Sequence, residues 1–174
     1  MDLARQQRDL LELIKSGTLR RTGDPYIEKV AHSPHLAVLR DVVLSWRAFD
    51  VERTCRLTSA LLQQRGWFDD AIRFFAATAD ISPFVERLRD TFLEQMAANA
   101  DPLVAAVAQF ELYLIKVKLG DPGEYTVEWP TDPRPVLMAL DEGRSLEPLP
   151  AVTHQMSISQ CLPGLVRVCE VTKC

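Results

Sequence analysis

Apolar residues recur at helical spacing from residue 3 to about residue 119, and at alternate positions after residue 120. Leu3, Leu10, Leu11 and Ile14, with Leu13 beside them, form a first stripe that Ser16-Gly17 ends. Thr22-Gly23-Asp24-Pro25 reads as a loop, and a short turn is expected at Ile27 to Ala31. Ser33-Pro34 opens a second helix, Ser as cap and Pro in the first turn, where its missing N–H does no harm. Its predicted buried stripe is Leu36, Leu39, Val43 and Trp46, with Val42 alongside. Cys55, Leu57, Ala60, Leu61 and Leu62 continue in a segment ended by Gly66, and Phe68, Ile72 and Phe75 begin another. Ser82-Pro83 leads into Phe84, Leu88, Phe92 and Met96. Asp101-Pro102 leads into the cleanest stripe, Leu103, Val107, Phe110, Leu114 and Val117, stopped by Gly120. Five or six helices with short loops are the arithmetic of a bundle.

Beyond Gly120 the period drops to two. Tyr125, Val127 and Trp129 alternate with Thr126 and Glu128, and Val152, His154, Met156 and Ile158 alternate with Thr153, Gln155, Ser157 and Ser159. Leu165 to Val171 is a third, less regular strand, joined to the second by a hairpin loop at Gln160 to Gly164. Asp132-Pro133 starts a short helix through Val136, Leu137 and Leu140 to Gly143. The expected fold is α+β: a helical domain over 1–119, then a small antiparallel sheet domain with one helix over 120–174.

Composition fits a globular chain. Of 174 residues, 47% are hydrophobic and 25% charged, which excludes disordered and collagen-like chains. No apolar run approaches the ~20 residues of a membrane span, and the charged N-terminus has no apolar signal segment, so the expectation is a cytoplasmic protein. The net charge of −4 is uneven: residues 1–73 carry net +2 and residues 74–174 net −6. Bulk attraction to nucleic acid is not expected from that balance.

Catalytic constellations are thin. His32 and His35 sit three apart on a helix start, a spacing that suits surface or capping roles better than a metal. His154 falls on the buried side of a strand, where a hydrogen-bonded core imidazole is expected. Cys55, Cys161, Cys169 and Cys174 form no C-x-x-C pair, so a zinc ribbon has no support. Cys161 and Cys169 flank the hairpin, but a stable disulfide is not expected in a reducing compartment. Asp69-Asp70 suits a helix N-terminus and Asp141-Glu142 a solvated helix end. No phosphate loop, nucleophile elbow or H-E-x-x-H occurs. Nothing assembles a nucleophile, a base and an orienting group, so the residues point to a binding or adaptor module without a catalytic set, cofactor or metal.

A small open sheet offers edges. Unpaired main-chain N–H and C=O groups recruit an extended peptide as a further strand unless the chain's own helices or loops cover them. The segment 152–159 has no Pro or Gly and carries short polar outward residues. The candidate peptide-binding residues are Thr153, Gln155, Ser157, Ser159, Val166, Arg167 and Val168.

Gly120-Asp121-Pro122-Gly123-Glu124-Tyr125 to Trp129, followed by Asp132-Pro133 to Val136-Leu137-Met138-Ala139-Leu140, resembles the partner proteins of multinuclear non-heme iron-dependent oxidases, which work in ribosomal peptide natural-product pathways. The preceding helix, with Asp101-Pro102-Leu103-Val104, Phe110-Glu111-Leu112 and Lys116, fits the same pattern. The likeness is specific over roughly residues 82–145 and looser elsewhere. It is nearest to the partner of the 3-thiaglutamate pathway and more distant from the methanobactin partner subunit. The resemblance implies a division of labour. The iron enzyme oxidises a Cys of a precursor peptide, while the metal-free partner holds the leader and docks on the enzyme. The tail would then resemble elements that take a leader as an added strand. Trp46, Trp67, Phe68, Tyr125 and Trp129 are candidates for the enzyme-docking face where they are exposed.

Two other function classes stand beside this one. A nucleic-acid-binding regulator with a helix-turn-helix over 36–76 requires Arg40, Arg47, Arg53, Arg56 and Arg73 on one surface, diluted by Asp41, Asp50 and Glu52. A stand-alone enzyme would use His154 and Cys161.

Overall fold

The computed structural model describes residues 3–18, 23–78 and 85–171. The Ser82-Pro83 start signal, Phe84 and Cys174 lie outside the described residues. Among the described residues seven helices come first: α1 Leu3–Ser16, α2 Pro25–Ala31, α3 His35–Thr54, α4 Arg56–Arg65, α5 Phe68–Thr78, α6 Val85–Ala97 and α7 Pro102–Lys118. Strand β1 (Tyr125–Trp129), helix α8 (Pro133–Asp141) and strands β2 (His154–Ile158) and β3 (Val166–Glu170) follow. This is the α+β arrangement expected, with more helices because α2 is a true helix. Among the described residues no helix is long and apolar enough to cross a membrane.

Local chemistry explains the starts and stops. Asp24, Asp101 and Asp132 each precede a proline, and their carboxylates accept from the first free N–H groups of α2, α7 and α8. At α7 these bonds are 2.9 Å from Leu103 N–H and 3.1 Å from Val104 N–H. Gly66 ends α4 at φ +70, a left-handed stop that other residues adopt only with strain.

Helix α7 is the spine. It buries Val104, Ala106, Val107, Ala108, Phe110, Glu111, Leu112 and Val117, which lie on every side of the helix. Helices α4 and α6 cover part of it and the sheet covers another part. One hydrophobic core therefore runs from Leu61, Phe75 and Phe92 through α7 to Val127, Trp129, Met156 and Ile158. The division at 119/120 marks a change of secondary structure, and the core crosses it. Phe110 meets Trp129 edge-on at 6.1 Å, and Tyr113 stacks on Tyr125 at 4.4 Å. A second, small cluster of Leu13, Ile27 and Leu36 joins α1 and α2 to the start of α3.

Helix α3 departs from the expected stripe. Leu36 is buried, but Leu39, Val42 and Trp46 are exposed, together with Val38 and Phe49. The inward side instead carries Leu36, Arg47 and Val51. The physical reason is that α3 has apolar residues all round, so its periodicity does not choose a side.

Candidate functional site

The sheet order is β1-β2-β3, antiparallel throughout. Strand β2 is therefore central and paired on both sides. This corrects the expectation of a free edge along 152–159: Gln155 and Ser157 lie opposite Glu128 and Thr126 on one side, and opposite Cys169 and Arg167 on the other. Thr153 and Ser159 lie just beyond the ends of β2 and belong to the hairpin. The Thr153 carbonyl accepts from Val171 N–H at 3.0 Å, and Ser159 N–H donates to the Leu165 carbonyl at 3.0 Å. Ser159 is buried, and its Oγ accepts from Cys161 N–H.

Those two flanking bonds also set the phase of the hairpin ladder. In an antiparallel pair, alternate residues direct both main-chain groups at the partner strand. Leu165, Arg167, Cys169 and Val171 therefore face β2, and Val166, Val168 and Glu170 direct their N–H and C=O outward. No described residue outside the sheet makes a backbone hydrogen bond to these three. Of the predicted residues, Val166 and Val168 thus supply the open edge, while Arg167 supplies only an exposed side chain. By the same phase, Thr126 and Glu128 direct their main-chain groups away from the sheet along β1.

The two sheet faces differ. Val127, Trp129, His154, Met156 and Ile158 are buried on the inner face, with Val166 and Val168 half-buried beside them. Thr126, Glu128, Gln155, Arg167 and Cys169 form an exposed polar outer face. A strand added to β3 would set alternate side chains against half-buried valines and the others toward water.

The predicted docking aromatics separate into two groups. Trp129 is 1% exposed, and its indole N–H is buried without an acceptor. Tyr125 is half-buried against Tyr113, and its hydroxyl donates to Asp121 at 2.9 Å. A bond from Gly123 N–H, and after it the Tyr125 bond, hold the Asp121 carboxyl below the usual carboxylate range, and the Tyr125 phenol is raised in turn. Both aromatics serve the core and β1, because inward alternation on β1 seats them on α7. Phe68 is half-buried. Trp46 is 64% exposed, with Phe49 edge-on at 6.1 Å, and Trp67 is exposed beneath the Arg65 guanidinium at 5.8 Å. Val38, Val42, Trp46 and Phe49 recur at helical spacing and make an outward apolar stripe on α3. The signal for it in the sequence is the pair Arg40 and Arg47, seven apart on the side opposite the stripe.

Among the described residues no group of three or more His, Cys, Asp or Glu could hold a metal ion. His154 is buried, and its Nδ1–H donates to the Val152 carbonyl at 2.8 Å. Cys161 lies past the far end of β2, whose length from His154 to Ile158 is about 13 Å at ~3.3 Å per residue, so the two share no site. His32 caps α2, with Nδ1 2.7 Å from the Glu28 carbonyl, and His35 is exposed. Cys161 and Cys169 are exposed free thiols, and Cys55 is buried.

Two buried charged groups were not anticipated. Glu111 on α7 accepts from Leu57 N–H, Thr58 N–H and the Thr58 hydroxyl at 3.2, 3.0 and 2.8 Å. It thus caps the start of α4 from another helix. Burial raises its pKa against the pull of those bonds. Arg47 on α3 is 7% exposed, and burial lowers its pKa. The five arginines of the helix-turn-helix expectation do not share one face. Arg47 is buried, Arg53 points to the other side of α3 and pairs with Asp50 at 3.8 Å, and Arg56 pairs with Asp141 at 3.5 Å. Comparison with protein-family models, with characterised proteins and with solved structures finds no match to this chain.

Proposed function

We propose that this chain is a non-catalytic adaptor that binds the leader of a ribosomally made precursor peptide. It presents the precursor's C-terminal Cys to a multinuclear non-heme iron-dependent oxidase in the cytoplasm. The observation that carries the proposal is the outward main chain of β3. Val166, Val168 and Glu170 offer donors and acceptors in strand register beside half-buried valines. Main-chain bonding supplies affinity with little demand on sequence, which suits a leader segment. The resemblance of residues 82–145 to oxidase partners supplies the rest of the assembly. The outward stripe of α3, with Trp46 and Phe49, is the surface assigned to the oxidase, since exposed aromatic patches mark interaction sites.

Mechanistically the protein does no bond chemistry in this scheme. Ordering the leader costs conformational entropy, so leader affinity is moderate. Once the leader is held, a short flexible linker keeps the Cys at an effective concentration of the order of mM near the iron site. Co-expression with such an oxidase and its Cys-terminated precursor tests the scheme. Joint elution of the three, and precursor oxidation that disappears when this chain is omitted, is the expected result. Full oxidation in its absence would overturn it.

A further inference from the structure

A recess of about 420 Å³ lies between the end of α1, the middle of α3 and the end of α5. It falls within the ~300–1,000 Å³ range of small-ligand sites. Three guanidinium groups line it, from Arg40, Arg47 and Arg73, against an apolar wall that includes Ile14 and Leu44. Arg40 and Arg47 are seven residues apart, about 10 Å along the same side of α3. Each spends one N–H on a helix terminus. Arg40 Nε–H donates to the Ile14 carbonyl of α1, and Arg47 donates to the Ala76 carbonyl of α5, both at 3.1 Å. Gly17 ends α1 here at φ +71, a left-handed backbone that residues with a Cβ adopt only with strain, and the Arg40 guanidinium packs against its open side.

The charge is not closed. Arg73 pairs with Asp70 at 3.4 Å, but among the described residues neither Arg40 nor Arg47 has a carboxylate partner. Asp41 lines the recess and is exposed. A guanidinium has five N–H donors, and those that the two carbonyls do not take stay accessible, since no nitrogen of Arg40 or Arg47 is both buried and without a partner. The half-charges at two helix C-termini offset part of the positive charge and leave a surplus.

We propose that this recess is a binding site for a carboxylate carried on an apolar stem, held by the Arg40 and Arg47 forks. The planar fork matches a carboxylate through paired N–H bonds, and Ile14 and Leu44 receive the stem. A free carboxylic acid and a peptide C-terminus share this chemistry. The site is separate from the β3 edge, so substitutions there leave it intact.

Titration of the full chain with 3-phenylpropionate, acetyl-Ala-Ala-Phe with a free C-terminus, the amide of each, and inorganic phosphate tests the assignment. Binding is read from the Nε–Hε NMR signals of Arg40 and Arg47 and from calorimetry. Both acids are expected to bind at least ten-fold more tightly than their amides and than phosphate. The tighter of the two names the source. Arg47→Lys keeps one donor for Ala76 but loses the fork, so acid binding falls at least ten-fold with the circular dichroism spectrum unchanged. Arg40→Gln makes the same comparison if the lysine variant does not fold. Equal binding of acid and amide, tighter binding of phosphate, or full acid affinity in a folded fork-deficient variant would overturn the site.

Discussion

Two adjacent residues of β3 give opposite outcomes when changed to proline, and the pair tests where a leader binds. Val168 N–H points away from the sheet, so Val168→Pro removes no ladder bond. Its cost is part of a half-buried side chain, about 1 kcal/mol. Arg167 faces Ser157. Arg167→Pro removes that bond, worth about 1 kcal/mol, and strands the Ser157 carbonyl at a further ~1–3 kcal/mol. The expected loss is about 2–4 kcal/mol, or roughly 5–15 °C in Tm for a chain of this size. Leader binding orders the two differently. Val168→Pro deletes one bond to an added strand and leaves a peptide carbonyl at a wet rim, about 1.5–2 kcal/mol, which is a ten- to thirty-fold rise in Kd. Arg167→Pro lowers stability first and weakens binding through it. Thermal melts by circular dichroism and anisotropy of a fluorescein-labelled leader, run on both variants, separate the effects. A folded Val168→Pro protein with unchanged leader affinity would refute the β3 assignment. The analogous change, Glu128→Pro, then tests the opposite edge at β1.

The other predictions use the same kinds of measurement. Glu111→Ala leaves the α4 start without its acceptor and is expected to cost about 2–4 kcal/mol in denaturant melts, since Thr58 is fully buried. Because burial raises the Glu111 pKa, folded protein holds this proton more tightly than unfolded protein. The stability advantage of the wild type over Glu111→Gln should therefore shrink as pH rises through the ordinary carboxylate range toward the raised value, and a growing advantage would contradict the sign. The Cys55 thiol, pushed up to about 12 chiefly by burial, should escape iodoacetamide at pH 8 while exposed Cys161 and Cys169 react. Its thiolate is about 10³-fold scarcer than that of an ordinary thiol, and peptide mapping that finds native Cys55 labelled at a similar rate would refute the burial argument. Trp46→Asp with Phe49→Asp should leave the melting curve within about 0.5 kcal/mol of wild type, as both are exposed, yet abolish co-elution with the oxidase.

Much of the fold was legible because its signals are local. Asp-Pro at 101 and 132 names two helix starts by a side-chain acceptor and a residue that needs no donor, and both helices begin at the proline. The two-residue period at Tyr125, Val127 and Trp129 returned β1 with its bounds intact. Strand order was not legible. Alternation tells which side of a strand is buried but not which strand lies between two others, so nothing in the pattern of 152–159 reveals that β2 has a neighbour on each side. Trp129 needs no strand order, since its inward place in the alternation of β1 already puts it in the core and not on a docking face. Glu111 carries no signal beyond the helix pattern around it, because its three donors come from residues more than fifty positions earlier.

Helix α3 shows why the proposed docking surface and the proposed ligand recess arise together. Its inward side must meet the carbonyl ends of α1 and α5, and long side chains with N–H groups do this where leucines cannot. Arg40 and Arg47 therefore occupy positions that an ordinary amphipathic helix gives to apolar residues. The apolar residues that hold the helical pattern, Val38, Val42, Trp46 and Phe49, are left facing water. Hydrating that stripe and burying Arg47 both disfavour the isolated chain, and each cost would fall if the proposed partner covered the stripe or the proposed anion met the forks. Replacing Arg47 by leucine would remove the second cost but orphan the Ala76 carbonyl, so the inversion is held in place by the helix ends it caps.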